Sequence, residues 1–158
     1  MRKLLTSGIA VFAGMVSLPS VVSPHQSQHV PEHSYQQDPR LKRLQKFFRK
    51  ADCPAQKYSN VFLEAADAYD LDWRLLPSIS FIESTGGKAA KNNNFFGWKS
   101  GKAEFASPTA GIQAVGYSLA YSDLYRDKDV DEILATYNPD AEYAEKVKSV
   151  MRRISPSE

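Results

Sequence analysis

The chain has 158 residues, 42% hydrophobic and 24% charged, a globular composition that suits one compact domain with some chain left over. Its formal charge is +2, from 20 Lys and Arg against 18 Asp and Glu; setting aside Arg2 and Lys3, which stand in an N-terminal stretch without acids, leaves 18 against 18. Strong nucleic-acid binding driven by overall charge is therefore not supported, and the single cysteine, Cys53, excludes an internal disulfide.

The N-terminus reads as a secretory signal over residues 1–23. Arg2 and Lys3 precede the uncharged apolar run "LLTSGIAVFAGMVSL", which is short for a membrane-spanning helix, and "PSVVSP" supplies the break. Cleavage after Ser20 or after Ser23 both fit; a retained anchor is the alternative. No cysteine closes the run, so lipoprotein processing is not expected. The chain is then exported, to periplasm, cell wall or medium, without stable insertion in a membrane.

Residues 24–37, "PHQSQHVPEHSYQQ", read as a polar linker. His25, His29 and His33 are spaced by four, but Pro31 and the composition argue against the helix that would align them on a metal. No metal site and no cofactor are expected, and with every histidine in the linker a histidine-based triad is absent from the folded part.

The folded domain is expected over residues 38–155. "DPRLKRLQKFFRK" predicts a helix with Asp38 as N-cap and Pro39 in its first turn. Leu41, Leu44, Phe47 and Phe48 recur at helical spacing, and the opposite face is cationic: a solvated face, or one that meets anionic wall polymer or lipid headgroups. Cys53 reads as a packed small residue rather than a nucleophile. A second helix is expected from Ser59, and a third from Asp72 through "RLLPSISFIES", with a local irregularity at Pro77. "GGKAAKNNNFFGWKSGKAEFAS" has no helical period and predicts loops with a short β-hairpin. A fourth helix follows Ser107-Pro108, and "DVDEILATY" and "DAEYAEKVKSVMRRI" give two more. The expected class is mainly α, about six helices with a small irregular β element.

Glu83 is the residue with chemical promise. On a helical wheel it falls among Leu75, Leu76, Ile79 and Ile82, between Leu76 and Ile79, and it lies at the helix C-terminus. Partial burial and the helix dipole would both disfavour its anion, as a proton donor for glycosidic cleavage requires. Gly86 and Gly87 would end the helix and open the approach. "NNNFFGW" then sets amides beside aromatic rings, a combination that suits the hydroxyls and the C–H faces of sugars.

In these stretches the chain resembles the glucosaminidase family of bacterial peptidoglycan hydrolases, the endo-β-N-acetylglucosaminidases of the lysozyme-like superfamily. "LDWRLLPSISFIES" resembles the helix that ends in the family's catalytic Glu-Ser, here Glu83 and Ser84. "NNNFFGW" resembles an Asn-x-Phe-Gly element, here Asn94, Phe96 and Gly97. "FASPTAGIQAVGYSLA" resembles the entry to the next helix, and "ATYNPDAEYAEKV" keeps Tyr137, Tyr143 and Ala144 in spacing while Pro139 is shifted. The resemblance spans about residues 60–154. It implies an α+β lysozyme-like fold, Glu83 as general acid, Ser84, Asn94, Phe96 and Trp98 along the glycan groove, Tyr137 near the site (or as a core tyrosine), and a monomer acting on peptidoglycan strands.

Two departures stand out. Thr85 precedes Gly86 and Gly87 where the family has Gly-x-Gly, and Glu104 is the one carboxylate between Glu83 and Ser107, so a second catalytic acid would fall there. Three outcomes remain open: hydrolysis, lytic transglycosylation with Glu83 as its acid, or wall binding without turnover.

Overall fold

The computed structural model describes residues 35–156. The segment read as a signal, most of the segment read as a linker, and His25, His29 and His33 lie outside these residues. The described chain forms α1 (Pro39–Lys50), α2 (Ser59–Ala68), α3 (Leu75–Ser84), α4 (Pro108–Tyr121), α5 (Val130–Tyr137) and α6 (Ala141–Ile154), so it is mainly helical.

Local chemistry sets most helix starts. The Asp38 carboxylate accepts the Arg40 N–H with Pro39 next to it, Ser107 accepts the Ala110 N–H before Pro108, and Asp129 with Glu132 forms a reciprocal capping box. Chain read as linker also joins the fold. Tyr35–Gln37 form a 3-10 turn, Tyr35 is buried, and its hydroxyl donates to Asp67 at 3.0 Å.

Two expected starts move. Ser59 is the first residue of α2 rather than its cap, and its hydroxyl bonds back to Gln56 O at 2.8 Å. Asp72 does not open α3 directly: it accepts the Arg74 N–H at 2.9 Å, and the helix begins at Leu75. Pro77 is thereby the third helical residue, where its missing N–H has no intrahelical partner to lose, so no irregularity is required.

The core is built around α3. Leu75, Leu76 and Ile79 are fully buried, joined by Phe62 and Leu63 of α2, Val115 and Leu119 of α4 and Val147 and Val150 of α6. Helix α6 runs antiparallel to α3. Tyr143 near its start meets Glu83 near the end of α3, and Arg74 before α3 donates to Ser155 O after α6 at 3.0 Å.

The end of α3 is a sharp left-handed stop. Thr85 has φ +53°, followed by Gly86 at +60°. The first is an uncommon conformation for a β-branched residue, held by its N–H on Phe81 O at 2.9 Å. Gly86 must be glycine on a second ground: a Cβ there would lie 2.8 Å from Cys53 Cβ. Cys53 is buried against this turn, and burial raises its thiol pKa, as fits a packing role.

Of the expected β-hairpin the described residues show only the turn and its first bridge. Among the described residues there is one antiparallel bridge, Lys91 with Asn94, and no strand. Asn92 and Asn93 do make a tight turn, with φ +51° and +57°, but pairing stops at Asn94 because its side chain captures the backbone that would continue the ladder. Asn94 Nδ2 donates to Trp98 O and Ala103 O, both at 3.1 Å, and its Oδ1 accepts from Trp98 N–H at 2.9 Å and Phe96 N–H at 3.3 Å. One buried amide thus shapes the loop from 94 to 103. No described helix is long and apolar enough to cross a membrane.

Candidate active site

Glu83 sits on the last turn of α3, and its side chain is exposed. The wheel gave the direction of the side chain but not its depth. By Phe81 and Ile82 the helix is already leaving the core, while Leu75 to Ser80 are buried. The expected burial of Glu83 is therefore not met.

Two contacts fix the carboxylate. The Tyr143 hydroxyl donates to Oε1 at 2.8 Å. On the other side, a Cβ added to Gly97 would fall 2.6 Å from Oε2, so the loop backbone approaches as only glycine allows. Tyr143 stacks on Tyr137, with centroids 5.9 Å apart and planes 6° from parallel. The Tyr137 hydroxyl donates to Phe96 O. Burial raises the pKa of both tyrosines; the hydrogen bond to Glu83 adds to it at Tyr143, and the Glu83 charge at both. Each phenol therefore stays a neutral donor.

Trp98 continues the wall. Its ring lies 5.7 Å from Tyr137 and 6.0 Å from Tyr125. Gly97, Trp98, Leu124, Tyr125 and Tyr137 line a cleft of about 380 Å³ that also takes in Lys99 and Ser100. It shares Gly97 and Tyr137 with the surroundings of Glu83. The cleft thus offers half-buried ring surface close to one carboxylate, a fit for a ligand with apolar faces and a polar bond to cleave.

The other residues singled out from the sequence stand elsewhere. Asn94 is buried with its amide committed to backbone, and Phe96 is fully buried against Phe62. Ser84 is buried too: its hydroxyl lies 2.7 Å from Phe95 O and accepts the Gly87 N–H at 2.9 Å. These three side chains do not line the cleft; they build the loop that presents Gly97 and Trp98. Glu104 is exposed, accepts from Asn92 Nδ2 at 3.0 Å, and makes no hydrogen bond or ion pair with the Glu83 cluster.

Sequence reasoning named Tyr143 only for its spacing in the closing motif, without a place at the site, and did not mark Tyr125. A weak signal existed for Tyr143, which opens the buried stripe continued by Val147, Val150 and Ile154, so a polar-tipped ring ends an apolar row. Tyr125 lies in a turn between helices, where no sequence period marks it. Among the described residues no cluster of His, Cys, Asp and Glu could hold a metal. No protein-family model matches the chain, and no curated protein does.

Proposed function

We propose that the chain is an exported glycosidase that cleaves β-1,4 bonds in the glycan strands of peptidoglycan, as an endo-β-N-acetylglucosaminidase. The observation that carries this reading is the setting of Glu83: a solvent-open carboxylate held at one oxygen by Tyr143, backed by Gly97, beside the Trp98–Tyr137 cleft. The ordered resemblance of the flanking segments supplies the substrate class.

In this reading the strand lies on Trp98 and the neighbouring tyrosines. Its sugar faces cover Glu83 and exclude water from the carboxyl. Glu83 then gives its proton to the leaving glycosidic oxygen as the C–O bond breaks and positive charge grows at the anomeric carbon. Tyr143 at Oε1 and the Gly97 backbone at Oε2 hold the carboxyl in one orientation at the edge of the cleft. In hydrolysis, water adds its hydroxyl to the anomeric carbon and returns a proton to Glu83.

A second reading is favoured by the place of Glu104, which is bonded to Asn92 and not to the Glu83 cluster. With no second carboxylate joined to Glu83, the substrate's own N-acetyl oxygen can stabilise the anomeric charge. Alternatively the muramyl 6-hydroxyl attacks the anomeric carbon in place of water, once the glycosidic C–O bond has broken, and gives its proton to the Glu83 carboxylate, forming an anhydro ring, which is lytic transglycosylation.

Digestion of purified peptidoglycan followed by mass spectrometry tests the proposal. New reducing N-acetylglucosamine ends support the glucosaminidase and anhydromuramyl ends the transglycosylase. No new ends would leave a wall-binding module and overturn the catalytic reading.

A further inference from the structure

The cationic face of α1 is not absorbed by the site around Glu83. Helix α1 contains no acidic residue, and its outward cations Arg43, Lys46 and Lys50 fall on one stripe at i, i+3 and i+7. With Arg153 from the last turn of α6 they line a groove of about 500 Å³ floored by Phe47 and Ile154, with no carboxylate in its lining. None of these four cations has a carboxylate within ion-pairing distance among the described residues, whereas Arg40 on the same helix is paired with Asp38 and Asp67.

Arg153 is the best placed of them. Its guanidinium lies over the Phe47 ring at 5.5 Å and the Phe81 ring at 5.6 Å, and it makes no hydrogen bond or ion pair with the described residues. Two rings thus hold a planar fork of donors with nothing to donate to, an arrangement suited to a phosphate or carboxylate. Along α1 the cations are separated by about 4.5 and 6 Å of helix rise, a spacing that suits repeated charges on a chain better than one small anion.

We propose that this groove binds a linear polyol-phosphate polymer, a phosphodiester chain without bases. A bilayer fits less well, because membrane-surface helices join their basic rim to protruding apolar side chains. The exposed large hydrophobics, Tyr117, Tyr121 and Leu124, belong to α4 and the turn after it, not to α1 or α6. Single-stranded nucleic acid fits less well too, because base stacking needs a free ring face and Arg153 covers that of Phe47. The site stands apart from Glu83 and does not depend on what Glu83 does.

Titration of the full chain with poly(glycerol phosphate) over a range of salt tests it, beside a single-stranded oligonucleotide and phosphatidylglycerol vesicles. Binding should weaken with salt, with a log–log slope of up to about −3 for four cations on a single-stranded polyanion. Lys46→Gln with Arg153→Gln should lower affinity at least tenfold at low salt and flatten the slope. Lys46→Gln with Lys50→Gln, which disturbs no ring contact, should do the same with an unchanged melting temperature. Polymer affinity indifferent to both pairs would overturn the proposal. Tighter binding of the oligonucleotide or the vesicles, lost in the same variants, would overturn it as well.

Discussion

The two walls beside Glu83 are built in opposite ways. On one side the loop from Ser84 to Phe105 has almost no regular structure and is held from within, by the Asn94 amide, the Ser84 hydroxyl and the buried rings of Phe95 and Phe96. On the other side α5 and α6 are regular helices, and they deliver Tyr137 and Tyr143 by stacking ring on ring. The loop spends its polar side chains on its own backbone and offers the site a bare glycine and one indole. The helices use side chains on their backbone mainly at their caps, Asp129 with Glu132 and Asp140, and can offer two phenols. Polar residues dense in a loop segment can thus be scaffold, while the side chain that bonds to the Glu83 carboxylate, Tyr143, comes from a helix sixty residues away.

Substitutions can break this contrast. The largest stability effect should come from Phe96→Ala: removing a fully buried ring costs about 3–5 kcal/mol, read by chemical denaturation. A loss under about 1 kcal/mol would mean that the ring is not a core element of the loop. Asn94→Ala should cost somewhat less, on the order of 2–3 kcal/mol, because it leaves the buried N–H of Phe96 and the part-buried Trp98 N–H and Ala103 carbonyl without their amide partner. If Asn94→Ala instead left the melting temperature unchanged and only weakened glycan binding, Asn94 would belong to the groove and the contrast would fail.

The helical wall is probed by Tyr143→Phe. The ring and its stacking remain and only the hydroxyl on Glu83 is lost, so stability should change by less than about 1 kcal/mol. Activity should fall about tenfold, in kcat rather than KM, because the carboxylate is no longer held in its reactive orientation. A rise in KM with kcat unchanged would make Tyr143 a binding residue instead.

The smallest effect lies far from either wall. Asp67 accepts both ends of the Arg40 guanidinium and the Tyr35 hydroxyl, and the Arg40 hydrogen bonds are the main reason its pKa lies below the ordinary carboxylate value. A depressed folded value stabilises above the unfolded pKa of about 3.9 and is lost as pH falls through the folded one. Because the pair is partly exposed, Asp67→Asn should cost under about 1 kcal/mol at pH 7. Melts at acid pH should show the variant and the parent converging. The partner effect has the opposite sign. Burial and then Asp67 push Tyr35 up to about 12, so its contribution is intact below about pH 10 and is lost as pH rises through 12.

How far the sequence could be read depends on the range of each signal. Asp38-Pro39 and Ser107-Pro108 mark their helices because a cap acts within three residues. The stripe of α3 is equally local, so Leu75, Leu76 and Ile79 could be assigned to the core. The exposure of Glu83 could not, since it depends on where α6 stops covering α3. The extent of the hairpin was not legible for a related reason: turn chemistry at Asn92-Asn93 is local, but the path of the chain beyond the turn depends on Asn94 reaching Ala103. Ser84, Asn94 and Phe96 were legible as a motif and not as a scaffold, because a motif gives residue types without their depth.

The central claim is that Glu83 is the proton donor, and Glu83→Gln on purified peptidoglycan tests it most directly. The amide keeps the size of the side chain and can still accept from Tyr143, and the position is exposed, so the melting temperature should be unchanged. Release of new glycan ends should fall by about 10²- to 10⁴-fold, the worth of general acid catalysis. A folded variant that retains half or more of the parent's rate would contradict the account.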